Sequence, residues 1–191
     1  MTEKKTYLIN IISGPSAGKT VTCALLFAKL KILGFVVEYV QEYAKTLVWT
    51  KNFELLNNQY YVTHTQFNLM KQMIGKVDFI ITDGSLLHGL YYNRHNKDNI
   101  CNIEKTENFI LDSYSKFNNV NIFLDRGIFP YEEQGRIQTE EEAKEIDVIL
   151  KHLIKQSEIK YVLMKSDSSE ENLNDIIKFI LSESGKSDQN N

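Results

Sequence analysis

Residues 13–20 read Ser13-Gly14-Pro15-Ser16-Ala17-Gly18-Lys19-Thr20, and their neighbours decide how they are read. Before them lies the apolar run Tyr7-Leu8-Ile9-Asn10-Ile11-Ile12, which has the length and composition of a buried strand. After them Val21, Ala24, Leu25, Ala28 and Ile32 recur at helical spacing, and the pattern stops at Gly34. A strand, a glycine-bearing turn and a helix in this order make a phosphate cradle. Successive backbone N–H groups point at the anion, and the helix N-terminus adds partial positive charge. Ser13 through Thr20 are therefore the predicted nucleotide-binding loop. Lys19 is placed to reach the β- and γ-phosphates, and the Thr20 hydroxyl to ligate Mg²⁺. Ser13 stands where this pattern usually has glycine; its small size suffices, with Gly14 expected to supply an unusual backbone angle.

Outward from the loop, strand and helix signals alternate. Strands are predicted over about 6–12, 35–40, 77–82, 121–124 and 159–164, with helical stretches between them. The helical region 42–74 is broken near Asn52 and at Asn57-Asn58, and the one over 85–117 is interrupted at 93–102. Thr139 and Glu142 have capping-box spacing at the start of one helix, and Ser168 and Glu171 at the start of the last. This alternation predicts an α/β fold, a parallel sheet covered on both faces, with right-handed crossovers. The 191 residues suit one domain with a substantial core, taken as 1–183, with 184–191 as a polar tail expected to be disordered.

Composition narrows the classes. A 42% hydrophobic, 25% charged chain is an ordinary globular sequence, and its apolar runs are too short to span a bilayer. Cys23 and Cys101 lie far apart and the four histidines form no ligand pattern, which fits a reducing, cytoplasmic setting without a structural metal. A net charge of −3 argues against a general nucleic-acid-binding surface. Of the 22 basic residues only Arg94, Arg126 and Arg136 are arginine. Arginine differs from lysine in its bidentate grip on phosphate, so these three are candidate phosphate contacts.

Ligands in such sheets bind at the carboxyl ends of the strands. Glu42 lies just past the second strand, where a carboxylate could orient or deprotonate an attacking hydroxyl; it could equally be a first-turn glutamate favoured by the helix dipole. Asp83 ends the third strand at the Walker-B position, suited to hold Mg²⁺ or, alternatively, to act as the base. Asp125-Arg126 ends the fourth, and the polar segment 127–138 that follows carries Arg136. It reads as a lid whose arginines neutralise charge on a transferred phosphoryl group while closure excludes water. The aromatic residues Tyr43, Trp49, Phe53, Tyr60, Tyr61, Phe67, Tyr91 and Tyr92 lie in helices that would bound an acceptor pocket, and one or two are expected to line it. Glu42, Tyr43 and Arg94 are the candidate acceptor contacts.

With these motifs assembled, the chain resembles the NadR-like P-loop kinases, a group that includes the nicotinamide riboside kinase domain. The resemblance rests on residues 13–20, on 37–45 (Val-Glu-Tyr-Val-Gln-Glu-Tyr-Ala-Lys), on 81–85 (Ile-Thr-Asp-Gly-Ser) and on Asp125-Arg126 through 135–143. It is closest to a branch found in tailed-phage genomes, which would put the protein in a host cytoplasm. The resemblance implies five strands in the order 2-3-1-4-5 and an ATP- and Mg²⁺-dependent transfer to a hydroxyl. It implies a nucleoside-type acceptor, either a nucleoside or nicotinamide riboside. An alternative it also implies is a 5-hydroxymethylpyrimidine base in DNA. Of these the acidic balance favours the small molecule. From another class, an ATP-binding or ATP-hydrolysing regulatory switch would use the same loop, ordering around the γ-phosphate. On the kinase reading Lys19, Glu42, Asp83, Arg126 and Arg136 carry catalysis, and Thr20 and Asp83 hold the metal.

Overall fold

The computed structural model describes residues 4–187. Five strands, β1 (Tyr7–Ile12), β2 (Val37–Val40), β3 (Phe79–Thr82), β4 (Asn118–Asp125) and β5 (Val162–Lys165), form one sheet in the order β2-β3-β1-β4-β5. All four neighbouring pairs are parallel, with Ile9 opposite Ile81 on one side of β1 and opposite Val120 on the other. Among the described residues eight helices cover it: α1 (Lys19–Ile32), α2 (Tyr43–Trp49), α3 (Phe53–Leu56), α4 (Gln59–Lys71), α5 (His88–His95), α6 (Ile103–Tyr114), α7 (Glu140–Gln156) and α8 (Glu170–Ser184).

Successive strand residues point to opposite faces, so a sheet buried on both sides needs apolar residues at both parities. On one face Ile9, Ile11, Ile81 and Ile122 pack under α1 and α8, through Leu26, Leu30, Ile176 and Ile180. On the other, Leu8, Ile12, Ile80 and Phe123 meet Met70 of α4, Leu87 and Leu90 near α5, and Leu150 and Ile154 of α7.

The breaks expected in the helical region 42–74 are real caps. Asn52 accepts from the Leu55 N–H and Asn58 from the Tyr61 N–H, each satisfying an otherwise orphaned donor. Thr139 and Glu142 make the full capping box that starts α7. The last helix is capped one residue later than expected, by Ser169 rather than Ser168. Asp167 accepts from the Ser169 N–H and hydroxyl, which turns Ser169 into the capping position, where it accepts from the Asn172 N–H.

β4 starts earlier than its apolar run. Asn118, Asn119 and Asn121 pair along β1, and the buried Asn10 side chain donates to the side-chain oxygens of Asn119 at 3.0 Å and Asn121 at 3.1 Å. Asparagine is a poor strand signal, and here side-chain bonds across the ladder compensate. β5 is displaced toward its C-terminal end: at the sheet edge it pairs only with β4, starting at Val162 opposite Ile122. Of the tail expected over 184–191, Ser184 ends α8, Gly185 caps it at φ 63°, and Lys186 bonds Asp78; residues 188–191 lie outside the described residues.

Candidate active site

The loop between β1 and α1 takes its shape from two residues in the left-handed region, Ser16 at φ 55° and Gly18 at φ 85°. Gly14, expected to supply the unusual angle, does not; it is required for closeness instead. A Cβ there would stand 2.6 Å from the Ala143 carbonyl and 2.9 Å from an Arg126 nitrogen. A Cβ at Gly18 would strike the Phe129 ring and the Ser166 hydroxyl. Both glycines thus let other elements press on the loop.

Lys19 turns back over the loop and donates to the carbonyls of Ser13 at 2.9 Å and Gly14 at 2.8 Å. Burial pulls its ammonium below the usual value, while Glu42 and Asp83 work to keep the proton on. Thr20 donates to Asp83 Oδ2 at 2.6 Å, and Asp83 Oδ1 accepts from the Glu42 N–H at 3.0 Å. Asp83 is only 3% exposed. Thr20 and Asp83 thus present a hydroxyl and a carboxylate side by side at the start of α1. These are hard oxygen donors of the kind Mg²⁺ takes when phosphate and water complete its shell. Among the described residues no cluster of three or more His, Cys, Asp or Glu could hold a metal on its own.

Glu42 stands at the N-cap position of α2, yet its side chain makes no capping bond. Its backbone approaches so closely that a Cβ on Gly84 would lie 2.7 Å from its Cα. Burial pushes its carboxyl up, opposed by Lys19 and assisted by Asp83. Glu42, Lys19 and Arg136 all line one cavity of about 730 Å³, which runs from the loop between α2–α5 and α7. Gln59, Thr63 and Gln66 present polar groups from α4. Gln66 is fixed by accepting from the Tyr43 N–H at 2.8 Å and donating to the Gln41 carbonyl and Thr82 hydroxyl.

Of the aromatic residues named from sequence, Phe53, Tyr91 and Tyr92 line the cavity. Phe67 packs edge-on against Phe109 and Phe117, and Trp49 packs under Gly135 of the 127–138 segment. Two of the three expected acceptor contacts lie off the walls. The Tyr43 hydroxyl meets that of Tyr61 at 3.4 Å. Arg94 is engaged at 2.7 and 2.8 Å by Glu107, since α5 turns its polar face toward α6.

The segment 127–138 does lie over the loop. Ser16 donates to the Glu132 carbonyl at 3.0 Å and accepts from the Glu132 N–H and from Arg136 Nε. The two arginines that flank it part company. Arg136 faces the cavity near Lys19 and Glu42. Arg126 is drawn against α7, where Asp147 accepts from its Nε at 2.5 Å and the Ala143 carbonyl from its terminal nitrogen at 2.9 Å. The same Asp147 accepts from the Gly14 N–H, so one carboxylate ties loop, arginine and helix together. Sequence reasoning missed Asp147, although the signal is present: it is an acid on the apolar stripe Ala143, Ile146, Leu150, Ile154. It missed His88 as well, which sits among leucines in the sequence and lines the cavity.

A family described as AAA domain matches residues 8–172. No curated protein matches the sequence significantly. Among solved structures, a NadR protein in complex with NAD and AMP-PNP superposes over 96% of this chain with a TM-score of 0.66 and 13% identity. This chain spans 51% of that NadR chain, about half its length. A deoxyadenosine kinase from M. mycoides, with dCMP and dCDP bound, aligns over 92% of this chain and 98% of its own (TM-score 0.56, 15% identity). YorR from Bacillus subtilis, in complex with phosphorylated GDP, aligns over 94% and 99% (TM-score 0.58, 19% identity). At these identities the likeness establishes the fold: a three-layer α/β P-loop kinase architecture with the strand order seen here.

Proposed function

This chain belongs to the AAA domain family, and from that premise we propose that it is an ATP- and Mg²⁺-dependent kinase of NadR-like type. It transfers the γ-phosphate to a hydroxyl of a nucleoside-type acceptor, a nucleoside or nicotinamide riboside. The observation that carries the reading is the convergence of Lys19, Glu42 and Arg136 on one end of a cavity of about 730 Å³. A pure nucleotide switch needs the loop but not that cavity.

Residues 13–20 cradle the triphosphate, with Lys19 neutralising its terminal phosphates. Thr20 and Asp83 are the residues that would hold Mg²⁺, which when bound would supply further neutralisation of phosphate charge. Glu42 accepts the proton of the acceptor hydroxyl; its burial raises its affinity for that proton, as a general base requires. Arg136 stabilises charge on the transferred group, and the 127–138 segment keeps water, a competing acceptor, away. Arg126 contributes through the loop: its bonds to Asp147 and Ala143 make it a support for Gly14. The reading includes a cytoplasmic, reducing setting, that of the host if the chain is phage-encoded. Two free cysteines support it. Among the described residues no helix is long and apolar enough to cross a membrane.

A second reading, a kinase of 5-hydroxymethylpyrimidine bases in DNA, is favoured by the exposed apolar residues Phe53 and Ile137 on the cavity wall beside Lys45 and Lys97. The acidic Asp98, Glu142 and Glu145 on the same wall oppose it. Transfer of labelled γ-phosphate from ATP decides. A nucleoside panel including nicotinamide riboside is compared with duplex DNA with and without 5-hydroxymethyluracil. Label on a free nucleoside supports the first reading, and label only on modified DNA the second. ATP binding with no transfer to either would sink both and favour the switch.

A further inference from the structure

Buried polar side-chain atoms almost always find a partner, so those that do not are worth locating. Among the described residues they are Asn10 Oδ1, Ser13 Oγ, Tyr39 OH and both ring nitrogens of His88. Three of these atoms belong to two neighbouring residues. Ser13 is 1% and His88 7% exposed, and both line the cavity next to Lys19. The imidazole lies against the Ser13 and Ser85 carbonyls, which favour its protonated form but fall short of good hydrogen-bond geometry. The Ser13 carbonyl is already engaged by Lys19. Ser13 also occupies the loop position that usually has no side chain.

The chemistry of this pair is restrictive. Burial and the charge of Lys19 push the His88 imidazole down to about 3, so at neutral pH it is uncharged, with one donor and one acceptor. The Ser13 hydroxyl likewise donates and accepts. A phosphate would call for donors only. A cation would be repelled by Lys19. A hydroxyl, which both gives and takes a hydrogen bond, matches both residues.

We propose that Ser13 and His88 are positioning residues at the inner end of the cavity that together bind a sugar hydroxyl of the acceptor. The proposal rests on the reading of this cavity as an acceptor site and gives that site its first specific contacts. His88 sets the acceptor's pose and takes no proton from it.

Calorimetry of adenosine, cytidine, thymidine and nicotinamide riboside, each with AMP-PNP present, identifies the nucleoside the wild type binds best. His88→Phe, which keeps the bulk and removes both nitrogens, is expected to weaken that nucleoside at least tenfold. Ser13→Gly is expected to act in the same direction. In His88→Phe the affinity of AMP-PNP itself should change less than twofold, and His88→Asn should recover part of the loss. Analogues lacking the 2′- or 3′-hydroxyl should show which group is held: the relevant one loses affinity in the wild type but little more in His88→Phe. Parallel losses of AMP-PNP and nucleoside affinity would overturn the proposal, because His88 would then be supporting the loop. So would unchanged nucleoside affinity, or a wild type that binds none of the four. A His88-dependent nucleoside affinity without phosphate transfer would uphold the proposal and sink the kinase reading. Transfer with a His88-independent KM would do the reverse.

Discussion

β3 and β4 flank the central strand β1, and an aspartate directly follows the one and ends the other, yet the two do opposite things. At β3, the Thr82 hydroxyl donates to the Val40 carbonyl and accepts from the Gly84 N–H. The chain folds inward, and Asp83 is buried between Thr20 and the Glu42 N–H. At β4, the chain runs outward through Gly127, whose Cα faces the Ser166 carbonyl too closely for any side chain. Asp125 is left exposed, with Lys151 at 3.3 Å. The carboxylate that serves the loop on that side comes instead from α7, as Asp147. A polar residue at a strand end is therefore only a candidate, and the turn that follows it decides whether it faces the site.

The sharpest break in this comparison is at the loop itself. Lys19→Ala should lower phosphate transfer by about 10³-fold or more, with an unchanged circular dichroism spectrum; a folded Lys19→Ala enzyme at full rate would refute the site. Next come the two strand ends. Asp83→Asn should lower kcat about 10²- to 10³-fold, whereas Asp125→Asn should stay within about twofold, since exposed ion pairs contribute little. Equal effects would erase the contrast. Glu42→Gln should reduce kcat about 10²-fold or more. The base must be deprotonated and burial pushes its carboxyl up, so wild-type kcat should fall with decreasing pH above the usual carboxylate range, and the Glu42→Gln profile should lack that limb. The two arginines differ as well: Arg136→Lys should lower kcat, whereas Asp147→Asn should cost about 3 kcal/mol or more of stability in urea and raise the KM for ATP. The smallest effect lies farthest away. Burial alone would raise the Asp78 carboxyl, but bonds from Lys186, the Val36 N–H and Lys4 outweigh it and hold it below the usual value. A depressed carboxyl contributes stability that is present above its unfolded pKa and lost as pH falls through the folded one. Asp78→Asn should therefore cost about 1–2 kcal/mol near neutrality and progressively less below pH 4, read from urea midpoints across pH.

What sequence reading recovers here is local. The phosphate loop, the asparagine breaks and the Thr139 cap are defined within a few residues, so spacing reveals them. Properties that depend on distant partners stay hidden. Arg126 and Arg136 look equivalent in a ten-residue window. Only the arrival of Asp147, 21 residues downstream, separates the one that braces the loop from the one that faces the cavity. Arg94 follows two tyrosines of the wall, but a helix rotates successive residues by about 100°, and Glu107 of the neighbouring helix takes it. Ser13 reads as a tolerated substitution for glycine. Its significance emerges only beside the unpaired imidazole of His88.

The Asp78 carboxylate ties together two stretches far apart in sequence. One oxygen takes Lys4 at 3.0 Å and the other Lys186 at 2.8 Å, so the first and last stretches of the described chain meet at a single buried anion. That anion lies just before β3, at the opposite end of the strand from Asp83. A short glycine-serine bridge could join the two stretches, and new ends could be opened at Ser157-Glu158, in the turn between α7 and β5, which does not line the cavity. Such a circular permutant would keep every strand pairing and the whole edge that carries Lys19, Glu42 and Asp83, making this scaffold one in which connectivity can be rewired away from the cavity.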